Sequence, residues 1–295
     1  MTVDAALAGP WTHTAVARLT IGDIALDRRV VDAYGVKFII TRLQGWDDGW
    51  QGSATSTPRQ SAHGSWPSPV WAAGRVVQAD GRIEAGTWDA ATLAWERLMA
   101  AVPLSRLTTM TVETGEGGVP ARQAAVRQAG SPLVSKRTHG YLMFSLSLEA
   151  PDPRRYSVDE LASSTGLPVT TGGLSLPISL PISIGATVTS GRVTVVNDGN
   201  EAAPVVLEVT GPCPAGASIT NLTTGQRLVV PESVPAGQVL VLDSAAKTAR
   251  IGGTAARTVT GTWFDLVPGA NEIAFDAPAY DAAALLTIRY RHAWR

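Results

Sequence analysis

The chain has 295 residues, 45% of them hydrophobic and 17% charged, and its 24 Lys and Arg against 25 Asp and Glu leave a net charge of −1. That length supports two domains with real cores, and the near-zero charge excludes electrostatic capture of nucleic acid or of an acidic membrane. The single cysteine, Cys213, stands between Pro212 and Pro214 and has no partner for an intramolecular disulfide, so folding needs no oxidising compartment.

No apolar run reaches the length of a membrane-crossing helix. The opening residues carry Asp4 where a secretory signal needs a basic segment, so no signal peptide is expected and the chain should fold in a cytoplasm. Abundant glycine (29) and proline (19), with recurrent Thr and Val, point to many short strands and turns and hence a mainly β fold.

In chain order, Leu19–Leu26 starts a strand with a turn or bulge at Ile21–Ile24, and Val36–Leu43 is a second strand. Gln44–Ser68 has no amphipathic period; rich in Gly, Ser, Thr and Trp, it reads as a long loop carrying Trp46, Trp50, His63 and Trp66. Long ordered loops make contacts, and exposed tryptophans are interface anchors, so these residues are the candidate subunit or partner contacts. Val70–Ala85 is either strand, tight turn at Asp80–Gly81 and strand, or one long strand with a glycine bulge. Asp89–Val102 is the clearest helix: Thr87 or Asp89 can cap it, and Trp95, Leu98, Met99 and Val102 make one apolar face. Leu107–Glu113 is a strand, Ala121–Gln128 reads as another, its alanines leaving a helix open, and Gly140–Glu149 is a third. In the last of these Leu142, Phe144, Leu146 and Leu148 share the face opposite Tyr141, Met143, Ser145 and Ser147.

Ser157–Gly173 is Ser-, Thr- and Gly-rich and reads as a linker between domains at 1–156 and 174–295. From Leu174 to Ile184, Leu and Ile alternate with Ser and Pro. Pro177 and Pro181 donate no hydrogen bond, which predicts an edge strand or extended arm. Arg192–Val196, the turn Asn197–Asn200 and Val205–Val209 read as a β-hairpin. Strands at Ala217–Thr220, Gln226–Val230, Gln238–Asp243, Asn271–Asp276 and Ala284–Arg291, spaced by turns, predict a β-sandwich.

No catalytic constellation emerges. His13, His63, His139 and His292 lie in no metal-ligand spacing, so neither a metal nor a cofactor is expected. Gly115–Gly118 lacks the strand–helix frame and the lysine of a phosphate cradle and reads as a turn. Asp47 and Asp48 flank tryptophans, but adjacent residues of a strand face opposite ways, whereas glycoside hydrolysis needs two carboxylates across a cleft. Sugar binding by tryptophan stacking stays open. The pairs Lys136-Arg137 and Arg154-Arg155 are loop ends or inter-subunit ion-pair material.

The run from Gly172 to Gly185, followed by Val193–Pro212 with its Asn-Asp-Gly-Asn turn, resembles the C-terminal half of siphophage distal tail proteins. Asn221-Leu222-Thr223-Thr224-Gly225, Val241–Ser244, Trp263–Phe275 and Ile288–Trp294 continue the resemblance in order and spacing. His63-Gly64, Gly74–Val77 and the Asp152-Pro153 step are similar to the family's first domain. The tryptophan-rich loop departs from compact members. The resemblance implies an N-terminal β domain with one helix that closes into a self-assembled ring, a homohexamer in the family, and a C-terminal galectin-like β-sandwich. It implies a structural virion protein at the tail tip, synthesised in the host cytoplasm and not an enzyme. The ring would touch the tail tube protein on one side and tail-tip hub proteins on the other, with no cofactor, membrane or nucleic-acid contact. The alternative reading is a carbohydrate-binding β-sandwich used for adhesion. A third, a tail-associated hydrolase, needs a carboxylate pair that the sequence does not display.

Overall fold

The computed structural model describes residues 16–295 except 54–56, 67–68, 116–117, 139, 172–186 and 190. The expected arm at Leu174–Ile184 lies outside the described residues. The chain divides into two units, one running to Val158 and including Arg295, the other Asp159–Trp294.

The first unit begins with β1 (Val16–Ile21) and β2 (Ile24–Leu26), an antiparallel hairpin turning at Gly22, whose φ of 59° suits a residue without Cβ. β3 (Lys37–Gln44) follows, then two-residue strands β4 (Gly52–Ser53), β5 (Thr57–Pro58), β6 (Ser65–Trp66) and β7 (Trp71–Ala72). β8 (Arg75–Glu84) leads to α1 (Trp88–Ala101), and β9 (Thr108–Thr114), β10 (Arg122–Gln128), β11 (Leu133–Thr138), β12 (Tyr141–Ala150) and β13 (Arg155–Ser157) complete the unit. The strands order as β11-β12-β8-β3-β2-β1-β9-β10-β13, and an added β10–β12 pairing (Arg127 opposite Glu149) closes the run from β12 to β10 on itself as a barrel. Closure removes sheet edges, which leaves β11 as an open rim strand hanging on β12.

The core follows from alternation. Along β12, Leu142, Phe144, Leu146 and Leu148 are buried, with Val77, Ala79 and Ile83 of β8 beside them. α1 lays Ala91, Ala94 and Leu98 on this core, with Trp95 and Met99 half-buried against it. Thr87 caps the helix by accepting from the Ala90 N–H at 3.2 Å. Asp80–Gly81 makes no turn: β8 is one continuous strand. The register slip lies opposite it in β3, between Ile40 and Arg42. A Cβ on Gly81 would lie 2.4 Å from the Phe144 ring, so the glycine makes room for the aromatic of the next strand.

In the second unit, β14 (Leu161–Gly166), β15 (Val169–Thr171), β16 (Thr187–Thr189), β17 (Arg192–Asn197), β18 (Val205–Thr210), β19 (Ala217–Asn221) and β20 (Gln226–Val230) come first. β21 (Val239–Asp243), β22 (Thr248–Ile251), β23 (Ala255–Ala256), β24 (Thr260–Gly261), β25 (Gly269–Asp276) and β26 (Leu285–Tyr290) follow. They form two sheets, β14-β26-β18-β21-β22-β23 and β17-β25-β19-β20-β24, with β15 and β16 paired apart. Buried residues from both, among them Leu207, Leu242 and Ile288 of one and Ile219, Leu228 and Phe275 of the other, make a β-sandwich core.

Two expectations are corrected here. Leu161–Gly166, read as linker, is an edge strand paired with β26. Its Ser and Thr content hides a half-exposed strand, held from outside by Arg289, whose guanidinium reaches Glu160 at 2.7 Å and Glu208 at 2.6 Å. The hairpin expected from Arg192 to Val209 does not form either. β17 pairs with β25 while β18 pairs with β21 and β26, so the chain crosses between sheets after Asn197. The Asn197 side chain, fully buried, enforces the corner: it donates to the carbonyls of Glu201 and Leu266 and accepts from the N–H groups of Gly199 and Ala293.

Candidate assembly interface

The region between β3 and β8 is a two-rung arm. Gly52–Ser53 pairs with Trp71–Ala72, and Thr57–Pro58 pairs with Ser65–Trp66. Every residue of these rungs is exposed. Trp66 is 61% and Trp71 75% exposed, and Val70 beside them is exposed too. The Arg59 guanidinium stacks on the Trp66 ring at 4.8 Å, a cation–π contact that holds the indole in place at the tip. An isolated two-stranded hairpin is marginal in water because it buries little, and this one presents its large aromatics outward.

The root of the arm is the opposite. Gly45 turns the chain with φ of 80°, and a Cβ there would meet the Val76 carbonyl at 2.1 Å. Trp46 is 1% exposed and belongs to the core. It is therefore withdrawn as a contact residue: the first large apolar side chain after β3 is taken by the core of its own chain. Trp50 is half-buried, its indole N–H donating to the Pro153 carbonyl at 3.2 Å. His63 and Trp66 are exposed on the arm, and Trp71, which sequence reasoning passed over, is the most exposed indole of the three contact-class tryptophans there. No alternation could have marked it, since both residues of its two-residue strand are exposed.

Beneath the root sits Arg75, 6% exposed. Its Nε donates to the Pro153 carbonyl at 3.0 Å, and its Nη1 donates to the carbonyls of Gly45, Trp46 and Asp48 at 2.9, 2.8 and 2.8 Å. Burial, with Arg155 nearby, pulls its pKa down to about 10, while Asp47 and Asp48 act the other way. Arg155 in turn pairs with Asp47 and stands over the Trp46 ring. Asp47 is thus committed to an ion pair, and Asp47 and Asp48 do not form a cleft dyad.

Two further concavities open on this unit away from the arm's root. One, about 740 Å3, opens between the β1–β2 turn, the loop at Asp32–Val36 and the end of α1. Arg97, held by Asp32 at 2.8 Å, stacks there on the exposed Tyr34 at 4.2 Å. The other, about 520 Å3, runs along β11, where Leu133, Val134 and Met143 are exposed beside the rim strand. Elsewhere, burial and Asp281 push the Cys213 thiol up to about 11, the state of an inert packing residue. Among the described residues no group of three or more His, Cys, Asp or Glu side chains is placed to hold a metal ion, and no helix is long and apolar enough to cross a membrane.

Against known proteins, residues 198–294 match the family described as siphovirus-type tail component, C-terminal domain. Among solved structures, the chain is similar to the SPP1 Dit (gp 19.1) protein, described as a paradigm of hub adsorption apparatus in Gram-positive-infecting phages. Identity is 11%, with 95% of this chain and 98% of that one covered and a TM-score of 0.61. Two structures of the phage p2 baseplate in its activated conformation are also similar. The one with Sr gives 10% identity, 92% and 96% coverage and a TM-score of 0.48; the one with Ca gives 8%, 93% and 97%, and 0.45. No curated protein matches the chain.

Proposed function

Residues 198–294 match the C-terminal domain of siphovirus-type tail components, and we propose that the chain is a distal tail protein of the siphophage kind. The protein is a noncatalytic hub: its first unit closes into a ring, and its sandwich is the second, appended unit. The ring is homohexameric, seated between the tail tube protein and the tail-tip hub proteins in the virion, after synthesis in the host cytoplasm. The matched domain carries this reading. The first unit supports it by offering unlike surfaces on one chain, a convex aromatic arm and two open concavities, which a head-to-tail ring requires.

The contacts of that ring include Trp50 at the arm root and His63, Trp66 and Trp71 along the arm. The test is light-scattering mass followed by negative-stain images of the same peak. Closed rings with an open centre are expected; a monomer at all concentrations, alone and mixed with the tail tube protein, overturns the ring. The exposed Trp71 also favours a second reading, glycan binding by ring stacking, which a glycan array decides.

A further inference from the structure

The root of the arm is over-built for a loop. Arg75 gives up its hydration to bond carbonyls on both sides of the arm's base, Gly45, Trp46 and Asp48 on the one and Pro153 on the other. Those acceptors are neutral, so burial of the charge is not repaid by a carboxylate on the guanidinium. A well-packed Leu or Met would not carry that desolvation cost. What Arg75 supplies instead is direction: one rigid planar fork that joins two segments of backbone. Trp50 adds a second tie to the same Pro153 carbonyl, and at Gly45 the backbone leaves β3 so close to the Val76 carbonyl that a Cβ would lie 2.1 Å from it.

We propose that Arg75 is the positioning residue of the arm, setting its angle before any partner arrives. The inference rests on the arm being an assembly surface. A hairpin whose described rungs are all exposed would otherwise sample many orientations, and each would have to be given up on docking. With its root fixed from inside, the arm presents Trp66 and Trp71 in one disposition at no further ordering cost.

The experiment compares wild type with Arg75→Lys, Trp50→Phe and Trp66→Ser, using amide hydrogen exchange, circular dichroism and sedimentation. Lysine keeps the charge but not the fork. Arg75→Lys should leave exchange in β8 and β12 at the wild-type rate while amides of Gly52, Ser53, Trp71 and Ala72 exchange at least tenfold faster. Trp50→Phe should do the same to a smaller degree and serves if the lysine variant fails to fold. Unchanged exchange at those rungs in both variants overturns the proposal. Assembly is read separately. If Trp66→Ser assembles like wild type, the arm is no interface and the functional reading of it fails. If Trp66→Ser weakens assembly tenfold but Arg75→Lys, with a loosened arm, does not, only the positioning role falls.

Discussion

The arm of the first unit and the corners of the second are both short, polar, glycine-containing connections, and they are stabilised in opposite ways. The corners turn their polar side chains inward. Asn197, Asn221 and Asn271 are all fully buried, and each is satisfied at both ends of its amide. Asn271 donates to the Val267 and Gly269 carbonyls and accepts from the Val267 N–H, while Asn221 donates to Asn271 and accepts from Thr223 and Thr224. The arm exposes Trp66, Val70 and Trp71, and its buried side-chain ties lie at its root. The comparison teaches that a loop made rigid by its own buried side chains is a structural joint, whereas a loop tied at its root leaves its apolar side chains out of the joints of its own unit.

The sharpest way to break this contrast is at a corner. Asn271→Ala should leave the Val267 N–H and the Asn221 amide without partners inside the sandwich and cost about 3–4 kcal/mol, read by denaturant unfolding. An effect within error would mean that water replaces the amide and that the corner is not a joint. Next is the arm's root: Gly45→Ala places a Cβ against the Val76 carbonyl at a positive φ and should cost about 2–3 kcal/mol. It should also raise proteolysis within the arm before the barrel unfolds.

A smaller effect separates pairing from either kind of loop. Arg29, through its side-chain bond and then its backbone N–H, lowers the pKa of the buried Asp27 carboxyl despite the opposing cost of burial. A carboxyl lowered on folding stabilises above its unfolded pKa, and that contribution is lost as pH falls through the folded one. Asp27→Asn should therefore lower Tm at pH 7, with the gap closing below pH ~4. A gap that stays constant with pH would assign the effect to packing alone. The smallest effect belongs on the arm's inner rung. Trp71→Ser should change unfolding free energy by no more than about 0.5 kcal/mol while weakening assembly. A large loss of stability would show that the indole packs within its own chain and would erase the distinction between arm and corner.

Most of the strand pattern was legible because burial alternates along it, as in Leu142 to Leu148, and the helix because Trp95, Leu98, Met99 and Val102 share a face. Pairing was less legible. Asn197-Asp198-Gly199-Asn200 has the composition of a hairpin turn, but composition does not record that the asparagine amide points into the core and routes the chain to the other sheet. β14 escaped because Ser163 and Ser164 carry no apolar signal. For the candidate contacts, the sequence marked the tryptophan-rich segment but did not separate its members: Trp46 and Trp66 differ by burial in the core against projection from it, which depends on the turn at Gly45. Arg75 was unreadable as a clamp, since its acceptors are carbonyls that every residue carries.

Cys213, buried and poorly ionised, leaves the chain without a reactive thiol at neutral pH. A cysteine introduced at Ser65 on the exposed rung would then be the sole nucleophile for a maleimide dye, with no native residue to remove first. Labelled subunits mixed with unlabelled ones would turn the arm into a molecular ruler, reporting by energy transfer how far apart successive tips lie once the particle is built.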